Sequence, residues 1–377
     1  MIMLRLYRSI IRSKLDYGSF IYASAKPNIL QTLDPVHNSA LRICSGAFKS
    51  SPIISLYAET GEPPLKLRRK QLLLQFYTRS QQLPHSHTSR HINLRTNQNT
   101  DHSLTVGNQI SRTIQYIGEF QLPVIPYSFS ETPRWLLSST TLCEHFDYPR
   151  KRTIQENAPQ ILKNMFLHHV NEEQRNSTHI FTDGSKNGPN VGCAAVLENT
   201  AHTKKLSKYA SNYTAELYGI ITALEAIEQS NNNNFSIFTD SKSIIPTINH
   251  YDSTNPLIQK IQTQIYTLQS AQKTVSICWC PAHVGVQQNE TADEAARLIA
   301  ESEEEPIDVR VPYRDHYTRI KEIIRAKWTE EWSNTTNNKL RTIKDHINPP
   351  PESHHRNRKM SVIPTSCLLY TSDAADE

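Results

Sequence analysis

His179-Ile-Phe-Thr-Asp-Gly-Ser185 reads as an apolar strand that ends on an acidic residue and a turn. Three later stretches carry an acid in comparable places: Thr214-Ala-Glu-Leu-Tyr-Gly219, Phe238-Thr-Asp-Ser-Lys242 and Asn289-Glu-Thr-Ala-Asp-Glu-Ala-Ala296. Working outward, 191–198 and 203–209 alternate as strands, and 214–229 is a helix with Leu217, Ile220, Ile221, Leu224 and Ile227 on one side. A strand follows at 235–239, with Ser241 placed as an N-cap for the next helix. A helix at 257–271, a strand at 275–281 and a helix at 289–301 complete the order β-β-β-α-β-α-α-β-α. This is an α/β pattern with five strands in a mixed sheet flanked by helices. Gly219 lies inside a helix, where glycine costs about 1 kcal/mol relative to alanine. Close approach of that helix to the sheet accounts for it.

The acids Asp183 and Asp240 end the first and fourth strands. If those strands are neighbours, the two carboxylates stand side by side at one end of the sheet. Glu216 and Asp293 are expected in the first turns of their helices, where partial positive charge favours acids. One such acid is ordinarily a cap or a surface charge. Four in these positions indicate a shared site, and four clustered carboxylates repel one another unless divalent cations neutralise them. Hard oxygen ligands suit Mg²⁺, with Mn²⁺ as a substitute. A pair of such ions is suited to in-line hydrolysis of a phosphodiester.

The chain has 377 residues and a formal charge of +5, but residues 1–100 carry fourteen Lys/Arg against four Asp/Glu, so the other 277 residues sum to −5. A basic amino-terminal third points to a polyanion, with a solvated helix face as the plain alternative. No apolar run reaches the ~18 residues of a membrane span. No secretory signal opens the chain, so an intracellular location is expected, nucleus or cytoplasm unresolved. The six cysteines show no framework spacing; Cys278 and Cys280 flank Trp279 in a strand and are expected as buried free thiols. Residues 3–24, 28–47 and 64–82 read as amphipathic helices, the first with an apolar stripe of Leu4, Leu6, Ile10, Ile11 and Leu15. Residues 84–112 read as a polar flexible loop and 118–160 as irregular, making 85–177 a polar, Pro-rich connector.

The order D, E, D, then His283 ten residues ahead of a last D, resembles the type 1 ribonuclease H family. Trp279-Cys-Pro-Ala-His283-Val-Gly-Val286 and Asn289-Glu-Thr-Ala-Asp293 are similar to that family's last strand, mobile His loop and last helix. The resemblance covers about 178–302. It implies hydrolysis of the RNA strand of an RNA–DNA hybrid, leaving a 3′-hydroxyl and a 5′-phosphate. It implies that Asp183, Glu216, Asp240 and Asp293 ligate two Mg²⁺ ions, and that His283 serves proton transfer or product release. Asn212 and Ser241 fall where family members place polar groups toward the hybrid. The stretch from Asp240 to His283 has only Lys242, Lys260 and Lys273 as cations, so it lacks the basic protrusion of some cellular members. Residues 179–302 hold eight Lys/Arg against eleven Asp/Glu, which leaves the grip on a polyanion to the basic helices of 1–82.

Residues 1–84 resemble the region after the polymerase palm in reverse transcriptases of Jockey and I-like non-LTR retrotransposons. The stretches that carry this are Arg12-Ser-Lys-Leu-Asp-Tyr-Gly18, Leu33-Asp-Pro-Val-His-Asn38, Gly46-Ala-Phe-Lys-Ser-Ser-Pro52 and Glu62-Pro-Pro-Leu-Lys-Leu-Arg68. The resemblance implies a small all-α, thumb-like domain whose partner is the upstream palm of a full-length polyprotein. No Tyr-x-Asp-Asp occurs, so polymerase activity is not expected. Residues 303–366 read as a helical tail, and 367–377 resemble a translated sequencing-library adapter. Two other readings stand beside the nuclease. A DDE-type transposase or integrase would order its acids D, D, E, whereas Glu216 comes between the first two Asp here. A truncated relic would only bind nucleic acid.

Overall fold

Strands β1 (Leu142–Glu144), β2 (Thr178–Asn187), β3 (Asn190–Leu197), β4 (Thr200–Leu206), β5 (Asn234–Thr239) and β6 (Thr274–Trp279) form one mixed sheet in the order β1-β6-β5-β2-β3-β4. The structure is a computed structural model that describes residues 2–84, 92, 105–118, 123–127, 142–144, 158–198, 200–250 and 252–347. Residues 367–377 lie outside the described residues. By internal contacts the chain divides into two units: 1–80 with 85–121 and 317–377, and 81–84 with 122–316.

The sheet belongs to the second unit. Strands β2, β3 and β4 are joined antiparallel, whereas β5 and β6 run parallel to β2. The five strands expected from sequence are all present, in a ribonuclease H-like arrangement. A sixth, β1, adds in parallel to the edge of β6, within the stretch read as connector. On one face, Ile180, Ile237 and Ile277 pack against Leu217, Ile220, Ile221 and Leu224 of the Asn212–Gln229 helix and Ile258, Ile261 and Ile265 of the Pro256–Ser270 helix. On the other face, Phe181 and Phe238 stack, with centroids 4.9 Å apart, beside Phe166, Val170, Cys278, Cys280 and Ala292. Cys278 and Cys280 are both buried on that face, as their alternation indicated.

Phe166 and Val170 come from a helix, Ala158–Glu173, that also lies in the stretch read as connector. Its buried residues Leu162, Phe166 and Val170 recur every four positions, which is a helix face. Val106–Ile117 is likewise a helix where a loop was expected, capped by the Thr105 hydroxyl, which accepts from the Asn108 N–H at 3.3 Å. The Ile110, Ile114, Ile117 period outweighs the polar composition around it.

Close helix–strand contacts fix the sheet faces. A Cβ on Gly192 of β3 would stand 2.7 Å from the Ala300 nitrogen and 2.8 Å from the Ala296 oxygen, so the Gln287–Glu301 helix lies directly on that strand.

The helical unit buries Tyr7, Leu41, Leu56, Leu67, Leu74, Ile320, Trp328 and Trp332. Its first helical stretch differs from the expected stripe. Leu4 and Ile11 pack inward with Tyr7, while Leu6 and Ile10 are exposed. A π-helical turn at Tyr7–Arg12 shifts the phase of the side chains, and Gly18, at φ +66°, ends the run. The Tyr7 hydroxyl lies 2.6 Å from His37 Nδ1, and burial pushes the His37 imidazole down to about 4. Three of the basic side chains expected to face a polyanion are committed internally. Arg8 and Arg12 pair with the buried Glu62 at 2.6 and 2.7 Å, and Arg68 pairs with Asp16 at 2.7 Å. Among the described residues no helix is long and apolar enough to cross a membrane.

Gly192→Ala is expected to destabilise the protein by about 1–3 kcal/mol, because the new methyl meets backbone that cannot rotate away. Thermal unfolding checks this, against Ala195→Gly in the same strand as a substitution that only removes volume.

Candidate active site

The parallel pairing of β2 with β5 places Thr182 opposite Thr239, and the Thr182 hydroxyl donates to the Phe238 carbonyl at 3.2 Å. Asp183 and Asp240 are the next residues on the two strands, so the register itself brings their carboxyls together. Both share parity with Phe181 and Phe238 and therefore the face covered by the Gln287–Glu301 helix. The Trp279 indole N–H donates to the Asp240 carbonyl at 3.1 Å and ties the end of β5 to β6.

Glu216 arrives from the opposite side of the strand end. A Cβ on Gly184 would stand 2.4 Å from the Glu216 nitrogen, and one on Gly219 would stand 3.2 Å from the Asp183 carbonyl oxygen. Two glycines, one on each element, thus let the Asn212–Gln229 helix touch β2 where Asp183 sits. The close approach expected at Gly219 is present.

Carboxylate oxygens of Asp183, Glu216 and Asp240 all lie within 4.8 Å of one another. Asp183 and Glu216 are buried; Asp240 is half-buried. Asp293, half-buried on the Gln287–Glu301 helix, acts on all three by charge and on Asp183 also by hydrogen bonding. Burial first, then the Asp240 and Asp293 charges, push Asp183 up to about 7. Burial first, then the charges of the three aspartates, push Glu216 up to about 9. Asp240 is also raised by burial, with His283 acting in the opposite sense. Glu216 Oε2 is buried without a hydrogen-bond partner. A compact set of hard oxygen donors, mutually repelling and with one buried oxygen unsatisfied, fits a divalent cation.

His283 is exposed, with a left-handed backbone at φ +54°, in a loop that continues to Gly285 at φ +86°. The remaining expected residues lie at the rim. Asn212 is the exposed first residue of its helix, and Ser241 is half-buried directly after Asp240.

Four local expectations are corrected. Asp183 does not end its strand: β2 runs on to Asn187 and Asp183 pairs with Ala194 of β3, so it stands within β2 beside the end of β5. The helix carrying Glu216 begins at Asn212, capped by the Ser211 hydroxyl, and that carrying Asp293 begins at Gln287. Both acids therefore sit beyond the first turn, and helix-terminal charge is not what holds them. Ser241 does not cap a helix with its side chain; its N–H donates to Thr239 Oγ1, and the short helix Ile244–Ile248 begins after Ser243 with no side-chain cap.

Sequence reasoning passed over Gly184, Lys163 and Trp279's indole. Lys163, from the unexpected Ala158–Glu173 helix, lies beside the His loop, its Nζ 3.4 Å from where a Gly285 Cβ would be. Nothing in the chain around Lys163 signalled that placement.

Residues 175–301 match the model of the RNase H family. Among solved structures, RNase H1 from the halophilic archaeon Halobacterium salinarum NRC-1 is 22% identical, covering 33% of this chain and 96% of that one, with a TM-score of 0.27. No curated protein sequence matches the chain significantly. Residues 175–301 are thus an RNase H domain with its acidic residues gathered at one sheet end.

The raised carboxyls have a consequence for stability. The folded protein retains protons that the unfolded chain releases, so the metal-free protein loses stability as pH rises from the ordinary carboxylate range, ~4, toward about 9. Glu216→Gln is expected to stabilise the metal-free protein at pH 8 by on the order of 1–3 kcal/mol, because the neutral amide needs no proton taken up on folding. Denaturant unfolding in EDTA at pH 5 and pH 8 checks this; the gain should shrink at pH 5.

Proposed function

We infer that the RNase H domain hydrolyses the RNA strand of RNA–DNA hybrids, and that the chain is a fragment of a retrotransposon polyprotein. The observation that carries the first statement is the carboxylate trio where β5 ends beside β2, inside the stretch that matches the RNase H family. Asp183, Glu216, Asp240 and Asp293 would hold two Mg²⁺ ions, with Mn²⁺ as a substitute. Such a pair of ions supplies an activated water and stabilises the leaving oxygen of an in-line displacement.

The chain's own residues supply position and proton handling. Asp183 and Asp240 are held by strand register and Glu216 by the Gly184 contact, so the donors are set before any ion arrives. His283, exposed beside Asp240, would exchange a proton with solvent and with the departing product. Asn212 and Ser241 at the rim would meet 2′-hydroxyls across a hybrid's wide, shallow minor groove. The domain itself carries more acids than bases, so binding draws on cations of the basic 1–82 region. With Arg8, Arg12 and Arg68 paired internally, Arg5, Lys14, Lys26 and Lys49 are the side chains we assign to that role. The retrotransposon context rests on the sequence resemblance of 1–84.

A labelled RNA–DNA hybrid incubated with the full chain and Mg²⁺ should be cut in the RNA strand, and EDTA should stop the reaction. Asp183→Asn and Asp240→Asn should each reduce cleavage at least ~10³-fold while the fold persists by circular dichroism. Cleavage unaffected by those substitutions would falsify the assignment. Binding to the hybrid that falls steeply with salt, without metal-dependent cutting, would favour the inactive-relic reading instead.

A further inference from the structure

Residue 301 ends the family match, but the compact unit that contains the sheet continues to His316. The chain from Ile307 to His316 is laid against the outer part of that unit. The Ile307 N–H donates to the Lys205 carbonyl at 3.1 Å, and the Ser207 hydroxyl donates to the Val309 carbonyl at 3.0 Å. Val311, 1% exposed, is part of the core beneath β2, β5 and β6. It exchanges backbone hydrogen bonds with 123–125: Val311 N–H to Pro123 oxygen at 2.9 Å, and Ile125 N–H to Val311 oxygen at 3.0 Å. His316 Nε2 lies 3.1 Å from the same Pro123 oxygen.

This strap delivers one carboxylate, Asp315, to the start of the helix that carries Glu216. The Ser211 N–H donates to Asp315 Oδ2 at 3.0 Å, and the Ser211 hydroxyl donates to Asp315 Oδ1 at 2.9 Å. Ser211 is the N-cap, accepting from the Thr214 N–H at 3.1 Å, and the Thr214 side chain also hydrogen-bonds Asp315. Lys186 of β2, three residues after Asp183, donates to the Ala210 carbonyl and lies near enough to interact with the Asp315 charge. Asp315 therefore fixes where the first turn begins, one turn and a residue before Glu216, while Gly184 fixes Glu216 against β2.

We propose that Asp315 is a positioning residue for the carboxylate site: by clamping Ser211 it sets the placement of Glu216 and hence the affinity for divalent cations. This deepens the metal-dependent reading above and rests on it. Partners that orient ligands from outside the first coordination layer commonly change metal affinity by roughly 10–100-fold when removed. The strap also makes the functional nuclease unit larger than the matched stretch.

The test compares the full-length wild-type chain with Asp315→Ala, Asp315→Asn and Ser211→Ala. Mn²⁺ binding is followed by calorimetry, and amide hydrogen exchange is followed over 211–216. Asp315→Ala should weaken Mn²⁺ binding about tenfold or more and speed exchange in that turn. Asp315→Asn, which keeps one acceptor, should fall between it and wild type, and should give the result if the alanine variant fails to fold. Ser211→Ala combined with Asp315→Ala should cost less than the two single changes added together, because both remove the bond between the Ser211 hydroxyl and Asp315. Asp308→Ala, in the same strap but ion-paired with the exposed Arg310, should bind Mn²⁺ as wild type does. Folded Asp315 variants with wild-type Mn²⁺ affinity and exchange would overturn the proposal. A wild-type chain that binds Mn²⁺ yet leaves hybrids uncut would count against the nuclease reading alone and leave this comparison to stand or fall on its own.

Discussion

Two carboxyls side by side where one parallel strand ends against its neighbour, with a third pressed onto them from a helix, are electrostatically unfavourable unless positive charge or protons join them. The pairing of Thr182 with Thr239 imposes the first contact, and the glycine at 184 imposes the second. Neither can relax without sliding a strand or lifting a helix, and both elements are held by large buried faces. The strain is therefore answered chemically. Without an ion, Glu216 and Asp183 hold protons far above the ordinary carboxylate range; a cation bound there would take the same oxygens as ligands. The rest of the site depends on this choice between proton and cation.

The surrounding architecture serves the same end. Aromatic rings of Phe166, Phe181 and Phe238 fill the space under the site and hold β2 and β5 at fixed separation, with ring pairs 4.9–5.3 Å apart in the closest two contacts. On the far side of the sheet, the Asn212–Gln229 helix is apolar almost throughout its buried length, so its position is set by packing, and its N-terminus is set by Ser211 and Asp315. Rigid supports of this sort let a carboxylate cluster keep its geometry before the cation binds. The exposed His283 loop, with two left-handed residues in close succession, contrasts with that rigidity.

Five of the six strands and their succession along the chain were legible in the sequence because β2, β3, β5 and β6 carry short apolar runs bounded by turns, and the helices between them keep a 3.6-residue period. The acids Asp183 and Asp240 could be placed side by side because each follows a short apolar run, although only Asp240 stands at its strand's end and β2 continues past Asp183 to Asn187. The turn in which Glu216 and Asp293 sit was misread because Asn212 and Gln287 extend their helices upstream, and polar first turns have no apolar period to reveal them. The Ala158–Glu173 and Val106–Ile117 helices were hidden by polar neighbours although each has an apolar face. Asp315 was invisible for a different reason. Its partner Ser211 is distant in sequence, and only tertiary structure brings an N-cap and its clamp together.

The central claim is that divalent cations replace protons in a preformed carboxylate cluster. Calorimetric titration of Mg²⁺ into the full chain at pH 7, repeated in two buffers of different ionisation enthalpy, counts the protons displaced. The account predicts saturable binding with release of about one proton or more per chain, because Glu216 and much of Asp183 are protonated beforehand. Saturable binding with no proton release, or no binding at all in a chain shown to be folded, would contradict it.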